Sequence, residues 1–482
     1  MEIFNTLSNK KEKIEKPKKG FLKLFVCGPT VYNYPHIGHA RTYLVFDAFV
    51  RFLRTQNFKI FYLQNITDVD DKIINKAKEL RRNPLDLARF FEKEYKKIMK
   101  KIGVISVDKY ARASDYIKEI QGQIDRLLKK GFAYQIEDGI YYDISKFKDY
   151  GKLSRRTSLQ AEDAISRIDE SIAKRNKGDF CLWKKVNYNL QNQTQKQISK
   201  SNFQISENGE PCWPSPWGWG RPGWHIEDTA ITEKFFGPQY NIHGGGIDLK
   251  FPHHEAEIAQ MEAISGRKPF VKIWMHTGAL SIENKKMSKS LKNFILISDF
   301  LKKYSPEVLR FFVLSYHYRS PINYSEEIIF QSQKSLQNIK EFLEKLKLIA
   351  SSKKKSNKSF NIKPTLNIID KNFIKALNDD FNTPKALSII FDMISSWQNQ
   401  IWQFNKKQAK DIAKFTQEKL KILGIELKPE KIPQKIKILA QKRELLRRNK
   451  QFVQSDLLRK KIEMLGYKVE DTPLGSLILK NF

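Results

Sequence analysis

The chain reads as α/β in its N-terminal two thirds, all-helical in the next stretch, and α+β at its C-terminus. Three observations predict this. Phe21-Leu22-Lys23-Leu24-Phe25-Val26 has the pattern of a buried strand, Cys27-Gly28-Pro29-Thr30 breaks it, and Ile37 to Phe52 carries Leu44, Phe46, Ala48 and Phe49 at helical spacing. Past Arg319 long amphipathic patterns take over, as in Glu326 to Ile349 with Ile328, Ile329, Leu336, Ile339, Phe342 and Leu346. Near the C-terminus a basic helical pattern precedes a short hairpin pattern. The architecture that fits is a Rossmann-like parallel-sheet domain with an insertion, followed by a helical bundle and a small α+β domain. The boundaries fall at about 1–315, 316–425 and 426–482, with the insertion at about 110–220, where the alternation of strand and helix becomes irregular.

The first strand-to-helix junction is chemically the richest element. Pro35-His36-Ile37-Gly38-His39 sits where backbone N–H groups and the positive end of a helix dipole favour a phosphate. Gly38 has no side chain to keep a nucleotide from the backbone. About 250 residues later comes Lys286-Met287-Ser288-Lys289-Ser290, on a Ser- and Lys-rich loop. Either segment alone is weak, since His-x-x-His spacing is common by chance and a lysine-serine run is usually a solvated loop. In this order, and after an apolar strand, they read as two parts of one ATP site. His36 and His39 are placed to donate hydrogen bonds to the α-phosphate as charge builds during in-line attack, and Lys286 and Lys289 to neutralise departing pyrophosphate.

The remaining elements follow in order. Within the insertion, residues 187–208 are rich in Gln, Asn and Ser and read as a solvated loop. Ser351 to Ser359 is a charged linker. From Lys435 to Lys461 there are ten Lys or Arg against Glu444 and Asp456, a local net of +8, on a helical pattern keyed by Leu439, Leu446, Val453, Leu457 and Leu458. One face is expected to pack and the other to meet an anion. Tyr467 to Leu479 then reads as a small hairpin. The whole chain of 482 residues carries 87 Lys plus Arg against 53 Asp plus Glu, and the resulting +34 points to a polyanionic partner, with a lysine-rich coding bias contributing to the excess. Three cysteines without a Cys-x-x-Cys argue against a disulfide scaffold and for a reducing cytoplasm. Neither a signal peptide nor a membrane span is legible, so no membrane partner is expected.

Cys27-Gly-Pro-Thr-Val-Tyr-Asn-Tyr-Pro-His-Ile-Gly-His39, Asn65-Ile-Thr-Asp-Val-Asp-Asp-Lys72, Gly220-Arg-Pro-Gly-Trp-His-Ile-Glu227, His243-Gly-Gly-Gly-Ile-Asp-Leu-Lys-Phe-Pro-His-His-Glu255 and Lys286-Met-Ser-Lys-Ser290 together resemble the cysteinyl-tRNA synthetases, of class I. The match runs from Phe4-Asn5-Thr6 to the last strand, and several blocks are specific to the cysteine enzymes. The resemblance implies a two-step ligase. L-cysteine and ATP, the latter with Mg²⁺, give cysteinyl-adenylate, and the 2′-hydroxyl of the terminal adenosine of tRNA(Cys) then takes the cysteinyl group. It also implies a helical domain like the DALR domain, in which Ala376 to Leu387 falls, an anticodon-binding C-terminal domain, and a monomer. Carried over residue by residue, Thr30, Thr67, Trp224 and His243 shape the cysteine pocket. Gly38, His39, Gly244, Gly245, Gly246, Asp248 and Lys289 meet ATP.

The resemblance further implies one Zn²⁺ per chain, held by Cys27, Asp228, His253 and Glu257. Cysteine and serine differ by one atom, and a metal that prefers thiolate to hydroxyl separates them where hydrogen bonds do not. His253 and Glu257 are four apart and share a helix face. Asp228 departs from the family, which has cysteine there. Ligand charge is the same either way, but oxygen is the harder donor. Cys212 as a substitute thiolate, and a metal-free pocket, stand as alternatives. Two rivals share much of the pattern: a ligase joining cysteine to an amino sugar, and a non-catalytic RNA-binding paralogue. Cysteine-driven ATP–pyrophosphate exchange excludes the second, and a charging assay the first.

Overall fold

A computed structural model describes residues 1–156, 173–188, 203–286, 293–352, 361–427 and 431–480. They form two compact units, one of residues 1–306 with 317–324 and the other of 307–316 with 325–482.

The first unit is built on five parallel strands, β1 (Leu22–Val26), β2 (Ile60–Ile66), β3 (Lys109–Arg112), β4 (Tyr240–Gly246) and β5 (Val271–Thr277), in the order β5-β4-β1-β2-β3. Leu24, Phe25, Tyr62, Leu63, Ile242 and Trp274 are wholly buried, as expected of strands covered on both faces. The strand order reverses between β1 and β4, and such a switch point opens a crevice at the carboxyl ends of the strands. Helix α1 (Ile37–Thr55) follows β1, α2 (Trp224–Phe236) precedes β4, and α3 (His253–Ser265) follows it.

The insertion contains an antiparallel sheet of Ala133–Ile136, Gly139–Tyr142, Phe180–Lys185 and Gly220–Pro222. Only irregularity is legible there from the sequence. Hairpins have no crossover helix, so the period-3.6 signal that marks the main sheet is missing. The polar stretch expected to be a solvated loop falls largely on residues 189–202, outside the described residues, as does residues 353–359 of the linker.

The second unit joins the long helices and the C-terminal hairpin. Helix Glu326–Ser351 begins at Ser325, whose Oγ accepts from Ile328 N. Lys345 on that helix pairs with Glu470 of the hairpin at 2.8 Å, and buried Arg443 grips Asp471 through two bonds of 2.6 and 2.9 Å. The basic segment is two helices, Gln434–Arg448 and Phe452–Met464, rather than one continuous pattern. Lys450, at φ 60°, turns the chain between them. Their packing seam is Ile436, Ala440 and Ile462 against Val469, while Val453 and Leu457, expected to pack, are exposed.

Candidate active site

Apart from Lys286, the predicted site residues within the described part lie at or behind the carboxyl edge of the sheet. His36 is the N-cap of α1, with extended backbone (φ −108°, ψ 170°). Its Nδ1 accepts from Gly38 N at 3.1 Å, and His39 Nδ1 accepts from His36 N at 3.2 Å. This reciprocal cap satisfies two orphan donors of the helix and also fixes the tautomer. With both Nδ1 atoms accepting, each neutral ring carries its proton on Nε2. The rings stack at 3.8 Å, and residues 295–297 pin the turn through Ile37 N to Ile295 O and Ile297 N to Pro35 O, both at 3.0 Å.

Burial pushes His36 down from the usual 6.5 to about 4, and burial with the neighbouring His36 pushes His39 well below the usual value. The unfolded chain therefore takes up these protons first as pH falls. Their contribution to stability is intact above about 6.5 and declines toward pH 4. The melting temperature is expected to fall as pH drops from 6.5 to 4.5 and to do so less in the double variant His36→Gln, His39→Gln. Parallel curves for the two proteins would exclude these rings as the cause.

A cavity of about 420 Å³ runs from these histidines to the start of α2. Gly38, Gly246 and Asp248 line it, as do Thr30, Thr67 and Trp224. Three predicted contacts differ in detail. Gly244 and Gly245 do not line the cavity: a Cβ on them would strike Phe46 at 2.2 Å and His254 at 2.8 Å, so their smallness serves packing of α1 and α3 on β4. His243 lies behind the wall, 1% exposed, with Nε2 3.3 Å from Cys27 Sγ. Lys286 ends a short strand, Lys285–Lys286, that pairs with Leu280–Ile282; Lys289 and the rest of the lysine loop lie outside the described residues.

Cys27, Asp228, His253 and Glu257 do converge. Cys27 Sγ is 3.2 Å from Asp228 Oδ2 and 3.9 Å from Glu257 Oε1; His253 Nε2 is 3.1 Å from Asp228 Oδ2 and 3.2 Å from Glu257 Oε1. Zinc–ligand bonds of about 2.0–2.3 Å in a tetrahedron give donor separations of about 3.3–3.8 Å, and the distances here fall just outside that range on either side, by about 0.1–0.2 Å. The electrostatics call for a cation. Burial, then the Asp228 and Glu257 charges, push the Cys27 thiol far up; burial, then Asp228, push Glu257 up. Among the described residues the ion-pair partners of Asp228 and Glu257 are histidines only, and buried Asp228 Oδ1 has no hydrogen bond. A divalent ion fits this donor set. Cys212 is not part of it. Its strand Pro211–Cys212 pairs with Gln204–Ile205, and its thiol turns to Gln204 O at 3.6 Å.

Against known families, residues 13–334 match the model of the class I tRNA synthetase (C) catalytic domain, and residues 372–428 match the DALR domain. A protein of Thermoplasma volcanium named Cysteine–tRNA ligase is 43% identical over 472 residues, covering 98% of both chains. The chain belongs to the cysteine–tRNA ligase family. A second member, from Thermococcus gammatolerans, is 39% identical over 99% of this chain and 98% of its own. Among solved structures, the methionyl-tRNA synthetase of Mycobacterium tuberculosis in complex with methionyl-adenylate shares the fold (TM-score 0.59, 14% identity, 83% of this chain and 90% of that one). The sequence reading passed over Asn65, whose Oδ1 accepts from Gly28 N, and Lys72, which lines the cavity. Both sit in the quoted Asn65–Lys72 block, which was the available signal.

Proposed function

We propose that the protein activates L-cysteine with ATP and transfers the cysteinyl group to the terminal adenosine of tRNA(Cys). The observation that carries this is one cavity lined both by a histidine pair whose Nδ1 atoms are taken up by the helix cap, and by Cys27, Asp228 and His253, three members of a sulfur-oxygen-nitrogen-oxygen donor set that Glu257 completes from behind. Cys27, Asp228, His253 and Glu257 would hold zinc, which when bound favours a thiolate substrate over a hydroxyl.

The chain's own groups account for the rest. His36 and His39 donate to the α-phosphate, where charge develops as the cysteine carboxylate attacks. They act as neutral donors, so their effect does not require protonation. Asp248 accepts from the ribose, and Lys286 and Lys289 offset the charge of pyrophosphate, which enters with Mg²⁺ as part of ATP. Trp224 stacks on His253 at 4.4 Å and walls the cysteine end with Thr30 and Thr67. His243 supports Cys27 from behind. The reading takes the working form as a cytoplasmic monomer; among the described residues no helix is long and apolar enough to cross a membrane. Cysteine-dependent ATP–pyrophosphate exchange followed by tRNA charging tests it, and absence of exchange with cysteine would sink it.

The basic C-terminal helices are assigned to tRNA. Lys442 and Lys460 are exposed on them, and Lys450 is exposed in the turn between them. Replacing all three by alanine is expected to leave exchange unchanged while weakening tRNA binding. The slope of log affinity against log salt should flatten by about two to three. An unaltered slope would place the tRNA elsewhere.

A further inference from the structure

Phe4-Asn5-Thr6 lies ahead of the catalytic-domain match at residues 13–334 and in no part of the cavity. Asn5 and Thr6 bracket the edge strand β5: Asn5 Nδ2 donates to Lys272 O, Trp274 N donates to Asn5 Oδ1, and Thr6 N donates to Trp274 O, each at 2.9 Å. That clamp sets Thr6 Oγ1 2.8 Å from His276 Nδ1. His276 Nε2 is 2.8 Å from His254 Nδ1, and His254 Nε2 is 3.2 Å from Cys27 Sγ. His254 is wholly buried and His276 is 4% exposed, so bulk water does not complete either ring's hydrogen bonding.

Donor and acceptor counting gives the chain one direction. The thiolate, the form of cysteine that binds a metal, only accepts, so His254 must present Nε2–H to it. A neutral His254 then has a bare Nδ1 and must receive a proton donor from His276 Nε2. That leaves His276 Nδ1 bare, and Thr6 Oγ1–H fills it. The reverse polarity would set a ring lone pair against the sulfur. His243, the other ring on Cys27, is not fixed in this way. Its Nδ1 faces both the Tyr240 hydroxyl at 2.7 Å and Glu257 Oε2 at 3.3 Å, a donor and an acceptor.

We propose that Thr6 is a positioning residue which, through His276 and His254, holds a hydrogen-bond donor on the Cys27 thiolate and so sets the hold of that sulfur on the metal. The proposal rests on the reading that Cys27 is a metal ligand. Its weight in this chain comes from Asp228. With oxygen in place of a second thiolate, Cys27 is the sole protein sulfur in the donor set, and its electron density decides the softness of the site.

The test uses the full chain loaded with Co²⁺ in place of zinc, in the wild type and in Thr6→Val, Thr6→Ser and His276→Leu. Cobalt affinity is read by chelator competition, and the thiolate-to-cobalt charge-transfer band by absorption. Thr6→Val, close to threonine in shape, is expected to bind cobalt about ten- to hundredfold more weakly, as loss of an outer ligand partner does. Its band should move to lower energy, because a sulfur freed of its hydrogen bond gives up charge more readily. His276→Leu should show the same band shift. Thr6→Ser should restore both affinity and band. Wild-type behaviour in Thr6→Val, or failure of serine to rescue, overturns the proposal; the second outcome would mean that threonine acts by packing. If the wild type itself binds no cobalt, the metal reading fails first and takes the proposal with it.

Discussion

Asp228→Ala is expected to lose its zinc and most of its preference for cysteine over serine, while the fold persists. Asp228 is 1% exposed, and its Oδ2 lies 3.2 Å from Cys27 Sγ and 3.1 Å from His253 Nε2, so its loss removes the oxygen that joins these two donors. Without it three protein donors remain, and the metal is held too weakly to stay for the substrate thiolate. Discrimination then rests on shape and hydrogen bonds alone, which for substrates differing by one atom are worth about a hundredfold at best. Asp228→Cys should behave in the opposite sense. Ligand charge is preserved, a softer donor is added, and zinc should be held more tightly than in the wild type. The measurements are zinc per purified chain, metal-edge spectra, and exchange rates with cysteine and with serine. Full zinc and full selectivity in Asp228→Ala would remove Asp228 from the ligand set. A spectrum showing two protein sulfurs in the wild type would contradict the position of Cys212, which faces Gln204 O.

The sequence made the local features of this site legible and the distant ones only through family resemblance. The hand-over from strand to helix at Cys27 to Ile37 could be read from apolar runs and a break, and the His253/Glu257 spacing from helix geometry. Cys27 and Asp228 are 201 residues apart, and their contact depends on β4 lying beside β1, an ordering no local pattern encodes. The same limit hid the path from Thr6 to Cys27, which needs the register of an edge strand. Two readings differ in detail for another reason. Gly244 and Gly245 stand in a block whose resemblance implies contact with adenosine, and Phe46 and His254 occupy the space that their missing side chains leave. Val453 and Leu457 repeat at helical spacing, but a break at Lys450 folds the basic segment back on itself and moves the seam to Ile436, Ala440 and Ile462. Periodicity locates an apolar stripe; it does not say whether a partner covers it.

Single replacements His36→Ala and His39→Ala are each expected to slow cysteine-dependent exchange by about 10²–10³-fold, the usual loss when one preorganised donor to a developing oxyanion is removed. The Michaelis constant for cysteine should change little, since on the proposed reading the histidines meet the α-phosphate and Thr30, Thr67 and Trp224 meet cysteine. His36→Ala has an added cost: it removes the N-cap acceptor for Gly38 N, worth about 1 kcal/mol of stability, and so should melt lower than His39→Ala. The two effects should not multiply in the double variant, because each ring fixes the other. His39 Nδ1 accepts from His36 N, and the rings stack at 3.8 Å, so loss of one already misplaces the Nε2–H of its neighbour. The pH profile separates this mechanism from one in which a charged imidazolium binds phosphate. Burial holds His36 down at about 4, so a neutral donor pair gives exchange with no limb near pH 6.5 from these rings, whereas an imidazolium mechanism requires activity to rise as pH falls through that value. A rise on acidification that His39→Ala abolishes would show that the rings work charged, and would overturn the assignment of both protons to Nε2.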